Sequence, residues 1–433
     1  MIWNPEYECM DRSALEALQL RRLQTTVAWV YERVEYYRRA LDERGVKPRD
    51  IKRLADVRLL PFTDKTALRD TYPFGMFAVP LEQVVRVHSS SGTTGKPIVV
   101  GYTRGDLATW TECTARIASM AGITQSDRVQ MAFLYGMFTG GWGMHYGVER
   151  IGATVIPAGS GNSERHLMMM QDFGTTALVS TPSYALYLAE YGAQSGVDFA
   201  ALPLRVGLFG GEPSGEHMRE EIQRRLHIRA TDNYGLTEIM GPGVSGECEC
   251  QCGLHLNEDH FVCEIVDPVT GESLPDGEEG ELVLTSIAKE AFPVLRYRTH
   301  DLTSLDTSAC ECGRTLARMA KVRHRTDDML IIRGVNVYPS QVEDVLLKIE
   351  GVEPHYMIVV DRERGMDRLE VKIEVAEEIF SDVMADMVAF TGRVSDRLNS
   401  VIGLNAKVTL VEPGVIERTA GKARRVVDNR TID

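Results

Sequence analysis

The sequence predicts an α/β protein in which a large N-terminal domain with parallel sheets precedes a small C-terminal α+β domain. First, short β-branched runs alternate with helical stretches from about residue 84 to residue 236, which is typical of a parallel sheet. Second, strand-like pieces separated by Gly, Pro and Asp turns follow Asp259 and predict a small β-rich subdomain. Third, the alternation resumes after Asp327. At 433 residues the chain is too long for one ordinary domain, and we expect domains at 1–326 and 327–433.

The individual elements follow from the periodicity of apolar residues. Helical spacing predicts a long helix from about Asp11 to Arg44, and Thr63 or Asp64 is a candidate N-cap for the next helix. Further helices are expected at about 163–173 and 215–226, and another begins at Ser340. β-Branched runs predict strands at 152–157, 176–182, 204–211, 262–266, 280–285, 329–332, 356–360 and 369–375.

Composition excludes some classes of protein. Hydrophobic residues make up 44% of the chain and charged residues 25%, which are values of a soluble globular protein. A net charge of −14 argues against a nucleic-acid binder that relies on a broad basic surface. We see no signal-peptide pattern and no apolar run of membrane-spanning length. We therefore expect a cytoplasmic enzyme without nucleic-acid or membrane partners, and the oligomeric state stays open, a homodimer included.

The most informative segment is a loop of hydroxyls and glycines between two β-branched runs, 84–87 and 98–100. Glycines let backbone N–H groups surround an anion, hydroxyls add donors, and a lysine adds positive charge. This is not a Walker A loop, because the GxxxxGK[ST] spacing is absent and Pro97 follows the lysine. The alternative is an ordinary Ser/Thr/Gly hairpin. The residues predicted to bind phosphate are Ser90, Ser91, Gly92, Thr93, Thr94, Gly95 and Lys96.

The cysteines are distributed unevenly. Five of the eight lie in two short clusters, Cys248, Cys250 and Cys252 and then Cys310 and Cys312. Without a secretory signal, such clusters are typical of metal ligands rather than disulfides. Free, reduced thiols are the alternative.

Four segments together resemble the adenylate-forming superfamily of acyl-CoA synthetases, adenylation domains and luciferases. They are the loop at 89–97, Tyr234-Gly235-Leu236-Thr237-Glu238, Tyr297-Arg298-Thr299-His300-Asp301 with Arg325 close behind, and Gly421-Lys422. They stand in the family's order and cover nearly the whole chain. Other segments look like the phenylacetate–CoA ligase family, among them Leu60-Pro61-Phe62-Thr63-Asp64-Lys65, Phe138-Thr139-Gly140-Gly141 and the stretch 329–341.

This resemblance implies an ATP-dependent ligase. Such an enzyme converts an aryl-acetic acid to its acyl-adenylate and then to the CoA thioester, releasing AMP and pyrophosphate. The phosphoryl centre needs charge neutralisation and in-line positioning more than acid–base catalysis. The expected small-molecule partners are ATP, CoA and an aromatic carboxylic acid. Mg²⁺ should bridge phosphate oxygens with Glu238 as its carboxylate ligand.

The resemblance also implies roles for the site residues. Lys422 should reach the acid and the α-phosphate during adenylation, and Thr237 should touch the α-phosphate. Asp301 should accept both ribose hydroxyls, because a carboxylate can take two donors, with Arg325 as a second ribose or phosphate contact. Lys65 matches a family position near the phosphates, although a solvated lysine at a helix start is an equal alternative. Tyr234 should stack on one face of the adenine, and the turn Gly211-Glu212-Pro213 should form the opposite wall. The remaining residues expected to bind the nucleotide are Asp232 and Gly235.

An acyl pocket and a hinge complete the expected site. Aromatic side chains beside glycines make a flat slot suited to an aryl ring, with core packing as the alternative. Asp327 matches the hinge about which the family's mobile C-terminal domain rotates between half-reactions, with a turn or N-cap aspartate as the alternative. The acyl-pocket residues are Tyr135, Phe138, Gly140, Gly141 and Gly210.

Two departures from the family pattern stand out. His324 occupies a position where relatives commonly carry glycine. The cysteine clusters resemble a subset of relatives that looks able to bind structural Zn²⁺, and by position the favoured ligands are Cys248, His255, Cys310 and Cys312.

Two other functions are left open. One is an adenylyltransferase on the same scaffold that transfers AMP to a hydroxylated cofactor. The other is a catalytically silent nucleotide or metal sensor, against which the intact Glu238, Asp301 and Lys422 argue.

Overall fold

The structure is a computed structural model that describes residues 1–90, 96–322, 324–333, 335–363, 366–376, 379, 384–418 and 425–430. Five residues of the predicted phosphate loop, Ser91 to Gly95, lie outside the described residues. So does Lys422.

The N-terminal segment is helical, as its periodicity predicts. It breaks once, because Val34 is extended (φ −114°, ψ 107°) and separates two helices. Asp11 and Asp64 act as N-caps, accepting hydrogen bonds from the backbone N–H groups of Ser13 and Ala67. The α-helices here are α1 (Pro5–Glu8), α2 (Arg12–Arg33), α3 (Glu35–Glu43) and α4 (Lys65–Asp70), with 3₁₀ turns at Pro48–Asp50, Leu54–Leu59 and Leu81–Gln83.

The central part alternates strands and helices. Its elements are β1 (Arg86–Ser89), β2 (Val99–Tyr102), α5 (Arg104–Met120), β3 (Arg128–Met131), α6 (Thr139–Ile151), β4 (Thr154–Ile156), α7 (Ser163–Asp172), β5 (Ala177–Ser180), α8 (Pro182–Gln194), a 3₁₀ turn (Phe199–Ala201), β6 (Val206–Gly210), α9 (Glu216–Leu226) and β7 (Arg229–Leu236). The predicted strand–loop–strand around the phosphate loop is confirmed, since β1 and β2 pair antiparallel.

The following part is mostly β. Its strands are β8 (Gly241–Glu247), β9 (Leu254–Leu256), β10 (Phe261–Val266), β11 (Gly280–Ser286), β12 (Tyr297–Thr303), β13 (Leu305–Asp306), β14 (Arg318–Met319) and β15 (His324–Arg325). The large sheet has the order β13-β14-β9-β8-β7-β6-β5-β3-β4. Its half from β4 to β7 is parallel, as predicted, whereas its other half is antiparallel. The smaller antiparallel sheet, β10-β11-β12-β15, is the predicted β-rich subdomain.

The C-terminal part has its own sheet and core. Its elements are β16 (Leu330–Ile332), β17 (Val335–Val337), α10 (Pro339–Leu346), β18 (Val352–Glu363), β19 (Met366–Val375), α11 (Met384–Ile402), β20 (Lys407–Val411) and β21 (Val426–Asp428). Strands β20-β19-β18-β21 form the sheet, and α10 and α11 bury Val342, Val394 and Leu398 with it. This apolar cluster contains no residue before Leu330 among those the structure describes.

The site is positioned by the carboxyl ends of the parallel strands. In open parallel sheets, ligands bind in the crevice beyond these ends. Strands β6 and β7 end at Gly210 and Leu236, directly before the predicted site residues Gly211 and Thr237. In the described residues no helix has the length and apolarity required to cross a bilayer.

Candidate active site

The predicted ribose carboxylate lies at the centre of a short polar network. Asp301 on β12 pairs in register with Arg325 on β15. Its Oδ1 accepts a hydrogen bond from Arg325 Nη1, and its Oδ2 accepts one from the Tyr234 hydroxyl at 2.5 Å. Burial raises the pKa of Asp301, while the Arg325 charge and the Tyr234 hydrogen bond act in the opposite direction. The fold thus joins three predicted residues from three strands around one buried carboxylate.

The predicted metal carboxylate follows β7 in a tight turn. Glu238 is 7% exposed, and within the described residues its carboxylate forms no hydrogen bond or ion pair. Its oxygens are therefore available to a hard cation such as Mg²⁺. Glycine is required at Gly235, because a Cβ there would lie 2.0 Å from the Gly241 carbonyl oxygen. The Thr237 hydroxyl lies 3.3 Å from that of Thr139 on α6.

Two buried side chains that sequence reasoning missed hold this turn. Lys289 Nζ donates to the Ile239 carbonyl at 3.0 Å, and the Tyr102 hydroxyl donates to the Met240 carbonyl at 2.8 Å. The ammonium also lies 4.3 Å from the centroid of the Tyr102 ring. Burial lowers the pKa of Lys289 to about 8. Lys289 follows strand β11 and belongs to no recognisable motif, so only its burial in the folded structure indicates that it holds this turn.

The ends of the predicted phosphate loop are fixed by the β1–β2 hairpin. Ser90 donates its backbone N–H to the Ile98 carbonyl and accepts the Ile98 N–H on its hydroxyl, both at 3.0 Å. At the other end, Lys96 Nζ lies 5.3 Å from the centroid of the Tyr72 ring.

The predicted adenine wall lies at the end of β6. Gly211 has φ +86°, a left-handed conformation that glycine adopts without strain. Glu212 accepts the Ser183 backbone N–H at 2.8 Å, which fixes the following turn to the start of α8. On β7, burial raises the pKa of Asp232 to about 7, with Lys321 lowering it and Glu247 raising it.

Of the predicted acyl-pocket aromatics, Tyr135 packs against Trp142 and His145 of α6. The Tyr135 hydroxyl and His145 Nδ1 are 3.0 Å apart, and His145 Nε2 and Glu149 Oε1 are 3.1 Å apart. The Tyr135 and Trp142 rings meet edge to face at 5.2 Å. Phe138, immediately before α6, is 37% exposed.

Phe133 was missed by sequence reasoning. A Cβ built on Gly140 would lie 3.7 Å from its ring, and one built on Gly211 would lie 3.6 Å from it. The ring therefore separates the predicted acyl slot from the predicted adenine wall. A Cβ built on Gly141 would lie 3.0 Å from the Leu134 carbonyl oxygen, and one built on Gly210 would lie 2.6 Å from the Asn233 carbonyl oxygen. The position of Phe133 just past the end of β3 is the signal that could have found it.

The predicted hinge residue is held by two cations. Arg325 Nε and Nη2 donate to the two carboxylate oxygens of Asp327 at 2.9 and 3.0 Å, and Lys65 Nζ lies 3.2 Å from Oδ2. Burial acts to raise the pKa of Asp327, but these bonds and charges hold it below its ordinary value. Lys65 therefore pairs with the hinge aspartate. Nearby, the His324 ring stacks on Tyr338 at 4.8 Å.

Further contacts join the two parts of the chain. Glu190 on α8 lies 3.3 Å from His355 Nε2 and 3.4 Å from Arg418 Nη2. Arg425 Nη2 lies 3.2 Å from the Ser183 hydroxyl. These contacts fix the C-terminal sheet against α8 beside the predicted adenine wall.

The four predicted zinc ligands converge on one point. One ligand atom from each of Cys248, His255, Cys310 and Cys312 lies within 4.8 Å of all the others. Cys248 Sγ and Cys310 Sγ are 3.8 Å apart, and Cys312 Sγ and His255 Nε2 are 3.4 Å apart. Zn–S bonds of about 2.3 Å at a tetrahedral angle separate two sulfurs by about 3.8 Å, so the spacing fits zinc.

The side chain of His255 has a protonation state and an orientation that suit a metal ligand. His255 Nδ1 faces the Leu316 carbonyl at 3.2 Å, which leaves Nε2 for a ligand bond. Burial lowers the pKa of His255 to about 4, so the ring is neutral. Cys252 lies beside the cluster, 3.5 Å from Cys310 Sγ, but its sulfur accepts from Arg318 Nη1 at 2.8 Å. Cys250 is exposed.

Comparisons with known proteins agree with this geometry. Residues 62–288 match the family model described as AMP-binding enzyme, and residues 334–430 match AMP-binding enzyme C-terminal domain. The chain is 50% identical to a phenylacetate–coenzyme A ligase of Thermus thermophilus over 99% of this chain and 100% of that one. It is 47% identical to the Escherichia coli phenylacetate–coenzyme A ligase over 100% of this chain and 99% of that one.

Solved structures extend the comparison to domain arrangement. A 2-hydroxyisobutyryl-CoA ligase in the postadenylation state with 2-HIB-AMP superposes with a TM-score of 0.93, at 31% identity over 99% of this chain and 92% of that one. A structure of that ligase with 2-HIB-AMP and CoA in the thioesterification state gives only 0.73, at 32% identity and the same coverage. The present arrangement is therefore nearer to the postadenylation state. On this evidence, the chain belongs to the phenylacetate–coenzyme A ligase family of AMP-binding enzymes and is an AMP-forming acid–CoA ligase.

Proposed function

We propose that the acid is an aryl-acetic acid of the phenylacetate type. ATP converts it to the acyl-adenylate with release of pyrophosphate, and the thiol of CoA then displaces AMP to give the thioester. The observation that carries the proposal is the packing of the Tyr135 ring against Trp142 in the predicted acyl pocket, together with the convergence of Tyr234 and Arg325 on Asp301 in the proposed nucleotide site. Relatives at 46–50% identity are named phenylacetate–coenzyme A ligases.

The proposed nucleotide site follows from the donor and acceptor positions. Asp301 accepts the ribose hydroxyls, because each carboxylate oxygen keeps a lone pair beyond its bond to Tyr234 or Arg325. The adenine lies between Tyr234 and the turn at 211–213, with Asp232 and Gly235 close by. Thr237 contacts the α-phosphate, the loop at 90–96 holds the outer phosphates, and Lys422 acts on the adenylation transition state.

Two metals are part of the proposal. Glu238 would hold Mg²⁺, whose charge neutralises the phosphate oxygens when it is bound. Cys248, His255, Cys310 and Cys312 would hold one structural Zn²⁺, since four protein ligands leave no position open for chemistry.

Two domains and a hinge complete the proposal. The boundary lies between residues 326 and 327, and the C-terminal domain rotates about Asp327 between the half-reactions. The separate apolar core that begins at Leu330 supports this division. The two TM-scores against one ligase, 0.93 and 0.73, support a change of arrangement between states. No observation favours the adenylyltransferase or the silent sensor.

A screen of acids tests the substrate. Pyrophosphate release should be fastest with phenylacetate and its ring-substituted derivatives. Cyclohexylacetate is the matched control, because it keeps the length and the carboxylate but lacks the aromatic ring. A preference for short aliphatic acids would refute the aryl-acetate assignment. CoA addition should then yield the thioester, and accumulation of adenylate without thioester would favour the adenylyltransferase.

A further inference from the structure

Tyr297 carries a buried hydroxyl that the fold leaves without a partner. It is the first residue of β12 and has no exposed surface. Within the part of the chain that the structure describes, its phenol oxygen has no hydrogen-bond partner. Two other buried tyrosines, Tyr37 and Tyr102, differ. Tyr37 pairs with the Thr63 hydroxyl at 3.0 Å, and Tyr102 donates to the Met240 carbonyl at 2.8 Å. A buried polar group without a partner is unusual and calls for an explanation.

The strand places this side chain on the same face as Asp301, the proposed ribose carboxylate. Exposure alternates along β12, so Tyr297, Thr299 and Asp301 share its buried face. The Thr299 hydroxyl is already used, since it donates to the Leu282 carbonyl at 2.8 Å. Among the residues of this face that the structure describes, Tyr297 is therefore the one whose hydroxyl donates no hydrogen bond.

The charges around the phenol are those of the proposed nucleotide site. After burial, the groups that act on the pKa of Tyr297 are Glu238, Arg325, Asp301 and Asp327. Burial and the carboxylates raise this pKa well above its ordinary value, so the phenol stays protonated at neutral pH. It can then act as a donor to an anion and does not itself repel one.

We propose that the Tyr297 hydroxyl donates a hydrogen bond to a phosphate oxygen of the bound nucleotide. The inference rests on the proposed function, because it takes the nucleotide to lie between Glu238 and Asp301. The carboxylates around Tyr297 offer the phosphates no donors. A neutral phenol supplies a hydrogen-bond donor without changing the net charge of the site. A hydrogen bond to a charged phosphate oxygen is also stronger than a hydrogen bond between two neutral groups.

Tyr297→Phe tests this inference, with Tyr37→Phe as the matched control for a buried hydroxyl that has a partner in the protein. We expect the ligand-free melting temperature of Tyr297→Phe to equal or exceed the wild-type value, whereas Tyr37→Phe melts several degrees lower. Calorimetric titration with Mg·ATP should show the dissociation constant of Tyr297→Phe raised about 10- to 100-fold. Titration with AMP tells whether the contact is to the α-phosphate, which AMP retains, or to the outer phosphates.

Two results would overturn the inference. One is a dissociation constant for Mg·ATP that equals the wild-type value. The other is a ligand-free melting temperature that falls as far as that of Tyr37→Phe, because the hydroxyl would then serve the fold. The proposed function is judged separately by wild-type thioester formation from phenylacetate and by loss of ATP binding in Asp301→Asn. Tyr297 can therefore fail while the proposed function stands.

Discussion

Arg325 binds Asp327 through two parallel hydrogen bonds, from Nε to Oδ1 at 2.9 Å and from Nη2 to Oδ2 at 3.0 Å. The same guanidinium donates through Nη1 to Asp301. One arginine therefore connects the proposed hinge carboxylate to the proposed ribose carboxylate. Lys65, at the start of α4, also contacts this carboxylate, with its Nζ 3.2 Å from Oδ2. The carboxylate of the proposed hinge residue is thus held by positively charged side chains of the N-terminal part.

Restricting the backbone at Asp327 should separate the two half-reactions. Proline fixes φ near −65° and so favours one orientation of the C-terminal domain. In Asp327→Pro we expect one half-reaction to slow far more than the other, with folding and ATP binding retained. Rapid-quench measurements of adenylate and thioester formation check this. Asp327→Ala is the control, because it removes the carboxylate without fixing φ. Equal losses in both half-reactions would show that Asp327 is not the hinge.

Lys422→Ala should impair adenylation selectively. A lysine that acts on the phosphoryl transition state contributes there and not to thioester formation. We expect adenylate formation to slow by about 100- to 1000-fold. Preformed phenylacetyl-adenylate should still react with CoA at close to the wild-type rate. Near-normal adenylation in the variant would exclude the assignment, and the neighbouring Arg424→Ala serves as a control for loss of local positive charge.

The purified protein should contain about one zinc per chain. Cys310→Ser removes a ligand, so we expect it to lose the metal and to melt at a lower temperature, since a structural metal contributes its binding energy to folding. Cys250→Ser is the matched control, because Cys250 is an exposed cysteine that is not one of the four proposed zinc ligands. Metal analysis of untagged protein measures the content. Metal-free protein whose cysteines all react with an alkylating reagent in the native state would contradict the prediction.

Lys289 should make stability depend on pH in a defined direction. Its pKa is about 8 in the folded state and 10.5 unfolded, so burying its charge costs about 3 kcal/mol below pH 8. This cost fades as the pH rises from 8 to 10.5, because the unfolded chain binds the extra proton in that range. The free energy of unfolding of Lys289→Met, relative to wild type, should therefore decline between pH 8 and 10.

Urea unfolding at several pH values measures this difference. The replacement also removes the bond to the Ile239 carbonyl, so the trend with pH is the diagnostic quantity rather than the absolute difference. Lys52→Met, at an exposed lysine, should show no such trend. A difference for Lys289→Met that is constant with pH would mean that Lys289 is not buried as a cation.

The sequence by itself determined most of the elements. The phosphate loop carries a local pattern, because a glycine-rich turn between two strands is a property of a few neighbouring residues, whereas the roles predicted for Asp301 and Glu238 follow from the resemblance of their segments to a known family. The parallel half of the large sheet was readable for the same reason, since alternating strands and helices leave a local period. The antiparallel half was not, because β9, β13 and β14 are two or three residues long and carry no period.

The tertiary structure decided which side chains meet. Position in the sequence favours four of the six candidate zinc ligands, but only the folded chain shows that Cys248, His255, Cys310 and Cys312 converge while Arg318 engages Cys252. Lys289 and Phe133 belong to no motif, and the motif that contains Tyr297 assigns its role to Asp301 instead. Burial and hydrogen-bond pairing between distant segments, including the lack of a partner for the Tyr297 hydroxyl among the described residues, are properties of the packed molecule that no local pattern records.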